Sequence, residues 1–164
     1  QLNDVCFELK ANPQNLIEKA GSLRAELKGL EKEIARLKQK LATSSGGDLT
    51  ANAVNVSGIN VLAAHLEGAD VGTLRDTLDQ CKNKLGTSAI LLAAVEGDKI
   101  SLVAGVSKDA TDRIRAGDIM KEFAGRLGGK GGGRPDMAQG GGNDVAGLTA
   151  AVAAFPGWVA ENLV

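Results

Sequence analysis

Residues 89–106 read Ala89-Ile90-Leu91-Leu92-Ala93-Ala94-Val95-Glu96-Gly97-Asp98-Lys99-Ile100-Ser101-Leu102-Val103-Ala104-Gly105-Val106. Two apolar runs, Ala89 to Val95 and Ile100 to Val106, are joined by the polar Glu96-Gly97-Asp98-Lys99, the pattern of a β-hairpin. Upstream, Ala53 to Val56 and Ile59 to Leu66 flank Ser57-Gly58, a second hairpin signal. Between the hairpins, Val71, Leu74, Leu78, Cys81 and Leu85 recur at helical spacing until Gly86 stops them. The strand–helix–strand step from 59 to 95 demands a right-handed crossover, and so a partly parallel pair within a mixed sheet. Downstream, Ile119, Met120, Phe123 and Leu127 make one helix face, and Val145 to Phe155 reads as an alanine-rich helix. Pro156-Gly157 then predicts a turn, with Trp158 packing the tail back onto the domain.

Ahead of this α/β part the pattern is different. Leu16, Leu23, Leu30 and Leu37 recur every seven residues, and Ala20, Leu27, Ile34 and Leu41 form a second series. These are the d and a positions of a coiled-coil helix, about 39 Å long over 16–41. Asn12-Pro13 suits a helix start, residues 2–10 read as the tail of a preceding helix, and a helical hairpin follows. In a parallel pair Glu26 would face Glu31 and Lys19 would face Arg24, with only Glu33 to Lys38 attractive. The charges therefore favour intramolecular or antiparallel packing, with a homodimer as the other arrangement. Thr43-Ser44-Ser45-Gly46-Gly47-Asp48 reads as a linker. The fold class is α+β: a coiled-coil-like helical segment over 1–45, followed by a mixed-sheet α/β globular domain over 50–164.

Composition narrows the chemistry. Net charge is −1, with no overall bias toward polyanions. Bases nevertheless outnumber acids from Lys108 to Arg134, and beyond Arg134 there is no base at all. The aromatics are Phe7, Phe123, Phe155 and Trp158, too few for a fold that stacks successive bases on exposed rings. Cys6 and Cys81 make no CxxC pair and read as packing thiols, which suits a reduced, cytoplasmic setting without a zinc or redox motif. No apolar run reaches the roughly 18 residues of a membrane span. Starting at Gln1, the sequence reads as a piece of a longer protein. His65 continues the Ile59, Val61, Ala63 side of a strand and reads as a partly buried packing residue. No nucleophile has a histidine close in sequence, and no cluster offers metal-ligand spacing, so the sequence shows no catalytic machinery.

More than half of residues 128–142 are glycine, interrupted by Lys130, Arg134, Pro135, Asp136, Met137 and Gln139. A plain linker would mix glycine with serine, so the segment reads as a shaped loop. It is not a P-loop, because Lys130 is followed by Gly131, and it follows a helix where a dinucleotide fingerprint must follow a strand. Two readings stay open. Its backbone N–H groups, beside Lys130 and Arg134, suit phosphate oxygens; alternatively its glycines serve tight packing, with Arg134 paired to Asp136 or another acid.

The run Lys130-Gly131-Gly132-Gly133-Arg134-Pro135-Asp136-Met137-Ala138-Gln139-Gly140-Gly141-Gly142 resembles the signature near the C-terminus of bacterial alanyl-tRNA synthetases. It falls in the accessory domain they share with DHH-type phosphoesterases and single-strand exonucleases. The likeness extends to Ala104-Gly105-Val106-Ser107-Lys108-Asp109 and Gly157-Trp158-Val159 and covers almost the whole chain. The resemblance implies a tRNA-binding module that contacts the outer corner of tRNA(Ala) and couples aminoacylation with editing. It implies a parent ATP-dependent alanine–tRNA ligase using ATP, magnesium and zinc, with no cofactor or catalysis in this part and the rest of the synthetase as partner. On that reading Lys130 and Arg134 hold phosphate or ribose, Lys108, Arg113 and Arg126 steer, Gly131, Gly132 and Gly133 permit close approach, and Gln139 reads a base edge. The alternatives are a coiled-coil oligomerisation module without RNA binding and an accessory single-strand nucleic-acid-binding domain of a DHH-type phosphoesterase.

Overall fold

The computed structural model describes residue 12 and residues 14–164, and over 38–48 it gives the backbone course alone. Along the chain run α1 (Leu16–Leu49), β1 (Val54–Val56), β2 (Ile59–His65), α2 (Val71–Leu85), β3 (Ser88–Glu96), β4 (Lys99–Val106), α3 (Ala116–Arg126), β5 (Lys130–Gly133), β6 (Met137–Gly142) and α4 (Leu148–Asn162). The strands form one six-stranded sheet in the order β1-β2-β3-β4-β6-β5. Only β2 and β3 pair in parallel, as the strand–helix–strand step requires.

The two apolar runs are β3 and β4, paired from Ala89 opposite Val106 to Glu96 opposite Lys99. Both strands are apolar on successive residues, so both faces of the sheet need cover. Ala89, Leu91, Ala93, Leu102 and Ala104 lie under α3 and α4, in a core with Phe123 and Phe155. Ile90, Leu92 and Val103 lie on the other face with Leu74, Leu78 and Cys81 of α2. Phe123 meets Phe155 and Trp158 edge to face, with centroids 5.4 and 5.6 Å apart, which ties the tail to the domain as the sequence suggested. On the α2 side, a Cβ at Gly105 would stand 2.7 Å from a Leu78 methyl, so the bare glycine is what lets the helix settle on β4.

Three local readings are corrected. Residues 43–48 are not a linker but part of α1, which runs to Leu49. An established helix gains a hydrogen bond with each added residue, and Leu49 at its end packs against the α2 core. Pro156-Gly157 makes no turn, since α4 continues through it. Phe155 and Val159, four residues apart on one face, are both fully buried, and their packing outweighs the hydrogen bond that proline removes. His65 is exposed rather than packed, at the end of β2 where the parallel pairing stops.

The chain divides into two units after Gln39. In the part of α1 before that point, Leu27, Leu30, Ile34 and Leu37 of the heptad series are exposed. Asn12 and Asn15 exchange backbone-to-side-chain hydrogen bonds of 2.7 and 2.9 Å ahead of Leu16, a reciprocal capping arrangement near the helix start expected at Asn12-Pro13. The preceding helix expected over 2–10, and Cys6 and Phe7 with it, fall outside the described residues.

Candidate nucleic-acid interface

The glycine segment is not a loop. It is the β5–β6 hairpin at the sheet edge, turned at Arg134-Pro135-Asp136, with β6 paired to β4 from Gly105 opposite Met137 to Ile100 opposite Gly142. Glycine has poor strand propensity, which hid the hairpin; close packing is what selects it. A Cβ at Gly131 would stand 2.4 Å from Met120 Cγ and 2.7 Å from Gly140 Cα, and one at Gly140 would stand 2.7 Å from Met120 Sδ. On this face the packing reading holds, and α3 lies directly on bare backbone.

The other face is open. Side-chain alternation puts Lys130, Gly132 and Arg134 of the hairpin on the same side as Met137 and Gln139, and Met137 packs against the α2 core. Because α2 lies over β3 and β4, it leaves a cleft of about 680 Å³ between itself and the hairpin. Arg75, Asp76 and Asp79 form the helix wall, while Gly132, Arg134 and Gln139 belong to the hairpin wall. A Cβ at Gly132 would meet nothing within 4 Å, so this glycine faces free space.

The turn carrying Arg134 is held at several points. Arg134 N–H donates to Met137 O at 2.8 Å, Ala116 N–H donates to Pro135 O at 2.8 Å, and Val106 N–H donates to Asp136 O at 3.0 Å. The Lys82 ammonium also reaches Asp136 O, at 3.4 Å. From this fixed base the Arg134 side chain projects 76% exposed, with Nε 3.4 Å from the Asp136 carboxylate. A pair so wet is worth about 0–1 kcal/mol, which leaves the guanidinium free to exchange a carboxylate for a phosphate or a base edge.

The other sequence-derived residues are distributed. Gly132, Gly133, Arg134 and Gln139 meet at the cleft. Lys130 shares the Arg134 face, about 13 Å away at strand rise. Gly131 is turned to α3. Lys108 opens a short 3-10 turn just past β4 and is exposed, at the sheet end where Asp136 holds Val106. Arg113 donates to Ser57 O at 3.0 Å. Arg126 lies at the far end of α3, paired to Glu122 at 2.7 Å with its guanidinium 5.2 Å over the Phe123 ring. Arg75, Asp76, Asp79 and Lys82 were missed, because only the β4–β6 pairing brings α2 beside the hairpin.

Beside Lys108, Ser107 Oγ accepts the Ser88 N–H at 2.9 Å, and Thr87 donates to the Asp109 carboxylate. Hydrogen bonds from Ser107 and then Thr87 hold Asp109 below the usual carboxylate range. Burial pushes the Cys81 thiol up, consistent with its packing role. Among the described residues no group of three or more His, Cys, Asp or Glu side chains is placed to hold a metal, and no helix is long and apolar enough to cross a membrane.

A mixed sheet covered by helices on both faces is a fold shared with known proteins. The chain belongs to the DHHA1 domain family, which matches residues 58–161. It is 51% identical over 163 residues to the alanine–tRNA ligase of Burkholderia thailandensis, covering 99% of this chain and 19% of that protein. It is 54% identical over 157 residues to the alanine–tRNA ligase of Saccharophagus degradans, covering 96% of this chain and 18% of that protein. The chain thus spans about a fifth of the length of the curated relatives it matches. Among solved structures it matches the C-Ala domain from Aquifex aeolicus alanyl-tRNA synthetase at a TM-score of 0.62 and 30% identity, covering 66% of this chain and 98% of that one. The resemblance read from residues 130–142 is borne out.

Proposed function

We propose that this chain is the tRNA-binding C-terminal module of a cytoplasmic alanine–tRNA ligase, docking on the outer corner of tRNA(Ala) so that aminoacylation and editing act on one bound molecule. The carrying observation is the half-covered hairpin: a fixed turn presents an exposed Arg134 beside an open cleft with Gln139 and a bare Gly132 floor. A folded RNA corner offers phosphates, 2′-hydroxyls and a few unstacked bases, and this edge matches them with a guanidinium fork, an amide and backbone close enough to touch. Lys130 and Lys108 add charge along the same path, while Arg113 and Arg126 steer from farther off. Ligation, ATP, magnesium and zinc belong on this reading to the rest of the parent protein, which is the module's covalent partner.

The test is a titration of tRNA(Ala) at two salt concentrations. Each phosphate contact contributes roughly 0.7–0.9 to the slope of log affinity against log salt, so the basic edge predicts a clear negative slope. Arg134→Ala weakens binding by about 1–3 kcal/mol through loss of a charge-assisted bond. A flat salt response, or full affinity in a folded Arg134→Ala protein, overturns the assignment. A competing preference for single-stranded DNA would favour the phosphoesterase-type accessory role.

A second reading rests on a separate observation. The exposed apolar series on α1 suits pairing with another helix, which would make this part an oligomerisation element alongside RNA binding.

A further inference from the structure

On the side of the sheet covered by α3 and α4, the start of one helix and the end of the other enclose a second cavity of about 470 Å³. Asp112, Arg113, Arg115, Asp118, Trp158 and Asn162 are among the residues that line it. Trp158 is only partly buried: Phe123 meets its ring at 5.6 Å, and the residue also lines the cavity. Arg115 is exposed, takes the capping position of α3 without a side-chain capping bond, and has no ion-pair partner among the described residues. An indole wall offers a stacking surface for a planar base, and a free guanidinium suits phosphate oxygens. The carboxylates of Asp112 and Asp118 supply acceptors for ring N–H groups or ribose hydroxyls.

The cavity adjoins the Arg134 edge. The Ala116 N–H donates to Pro135 O at 2.8 Å, so Arg115 and Arg134 each stand one residue from a single backbone hydrogen bond. One polyanion can therefore touch both. We propose that this cavity is a second nucleotide subsite, holding an unstacked nucleotide of the bound RNA with its base against Trp158 and its phosphate on Arg115. The assignment rests on the RNA-binding reading above and adds to it a specific nucleotide-holding pocket on the opposite side of the sheet.

Trp158 is the only tryptophan and there is no tyrosine, so intrinsic emission reports on this cavity wall alone. The 164-residue chain is titrated with a tRNA(Ala) transcript while Trp158 emission and the anisotropy of labelled transcript are followed together, and then with AMP and with GMP. The expected result is an emission change sharing its midpoint with tRNA binding, and an Arg115→Gln protein, folded by circular dichroism, that binds tRNA about tenfold more weakly. Wild-type tRNA affinity with silent emission and a neutral Arg115→Gln overturns the subsite while the RNA-binding reading stands. An anisotropy that never rises is the failure of that reading instead. Emission that responds to AMP or GMP but not to tRNA overturns the placement of bound RNA in the cavity in favour of a free nucleotide.

Discussion

Adjacent glycines in the hairpin have opposite tasks, and substitution separates them. A methyl at Gly131 collides with Gly140 backbone at 2.7 Å as well as with Met120, so Gly131→Ala forces the hairpin from α3 and costs about 1–3 kcal/mol by overpacking, measurable by denaturant unfolding. A methyl at Gly132 enters open space; Gly132→Ala leaves stability within about 0.5 kcal/mol and instead weakens tRNA binding by intruding on the cleft. Equal unfolding midpoints for the two variants would contradict this division. Asp109 offers a second residue-scale test. Its carboxyl is held below the usual range by Ser107 first and Thr87 second. A depressed folded pKa means that its contribution is complete above the ordinary aspartate pKa and is lost as pH falls through the folded value. Ser107→Ala therefore raises the Asp109 pKa, and Thr87→Val raises it less, as followed by carboxyl-carbon NMR titration. No rise in either variant would show that these hydroxyls do not set it.

At the scale of elements, β2 to β4 stood out in the sequence as apolar runs and α2 and α3 as helices with one apolar face, while β1 was marked by the Ser57-Gly58 turn beside it. The elements misread are those that local signals describe poorly. β5 and β6 have almost no side chains to pattern, and their strand conformation comes from pairing with β4 and contact with Met120. α4 contains the strongest helix breaker yet continues, since Phe155, Trp158 and Val159 reach the core only from an unbroken helix. Pro156→Ala restores a backbone donor to the helix interior and raises stability by about 1–3 kcal/mol, read from thermal or denaturant unfolding. A loss of stability instead would mean that the proline bends α4 to fit its bed.

For the whole molecule, the test lies in the exposed heptad face of α1. Leu27, Leu30, Ile34 and Leu37 are exposed at 60, 57, 53 and 48%, a surface that water disfavours. Sedimentation is expected to give residues 1–164 a concentration-dependent association that residues 50–164 lack; identical monomeric masses would remove the oligomerisation reading. The site was legible in part at this scale too. Arg134 and Gln139 stood out in sequence because they interrupt glycines and Arg115 fell within the basic excess over 108–134, whereas Arg75 and Asp79 carry no local mark. The sequence by itself determined the mixed sheet, its parallel step and the special status of residues 130–142, because hydrophobic period and glycine content are properties of neighbouring residues. Only the tertiary structure decided that those glycines form an edge hairpin, which of them pack and which face a cleft, and which cations share one rim, because strand pairing across β4 and the stopping point of α2 depend on contacts between residues far apart in the chain.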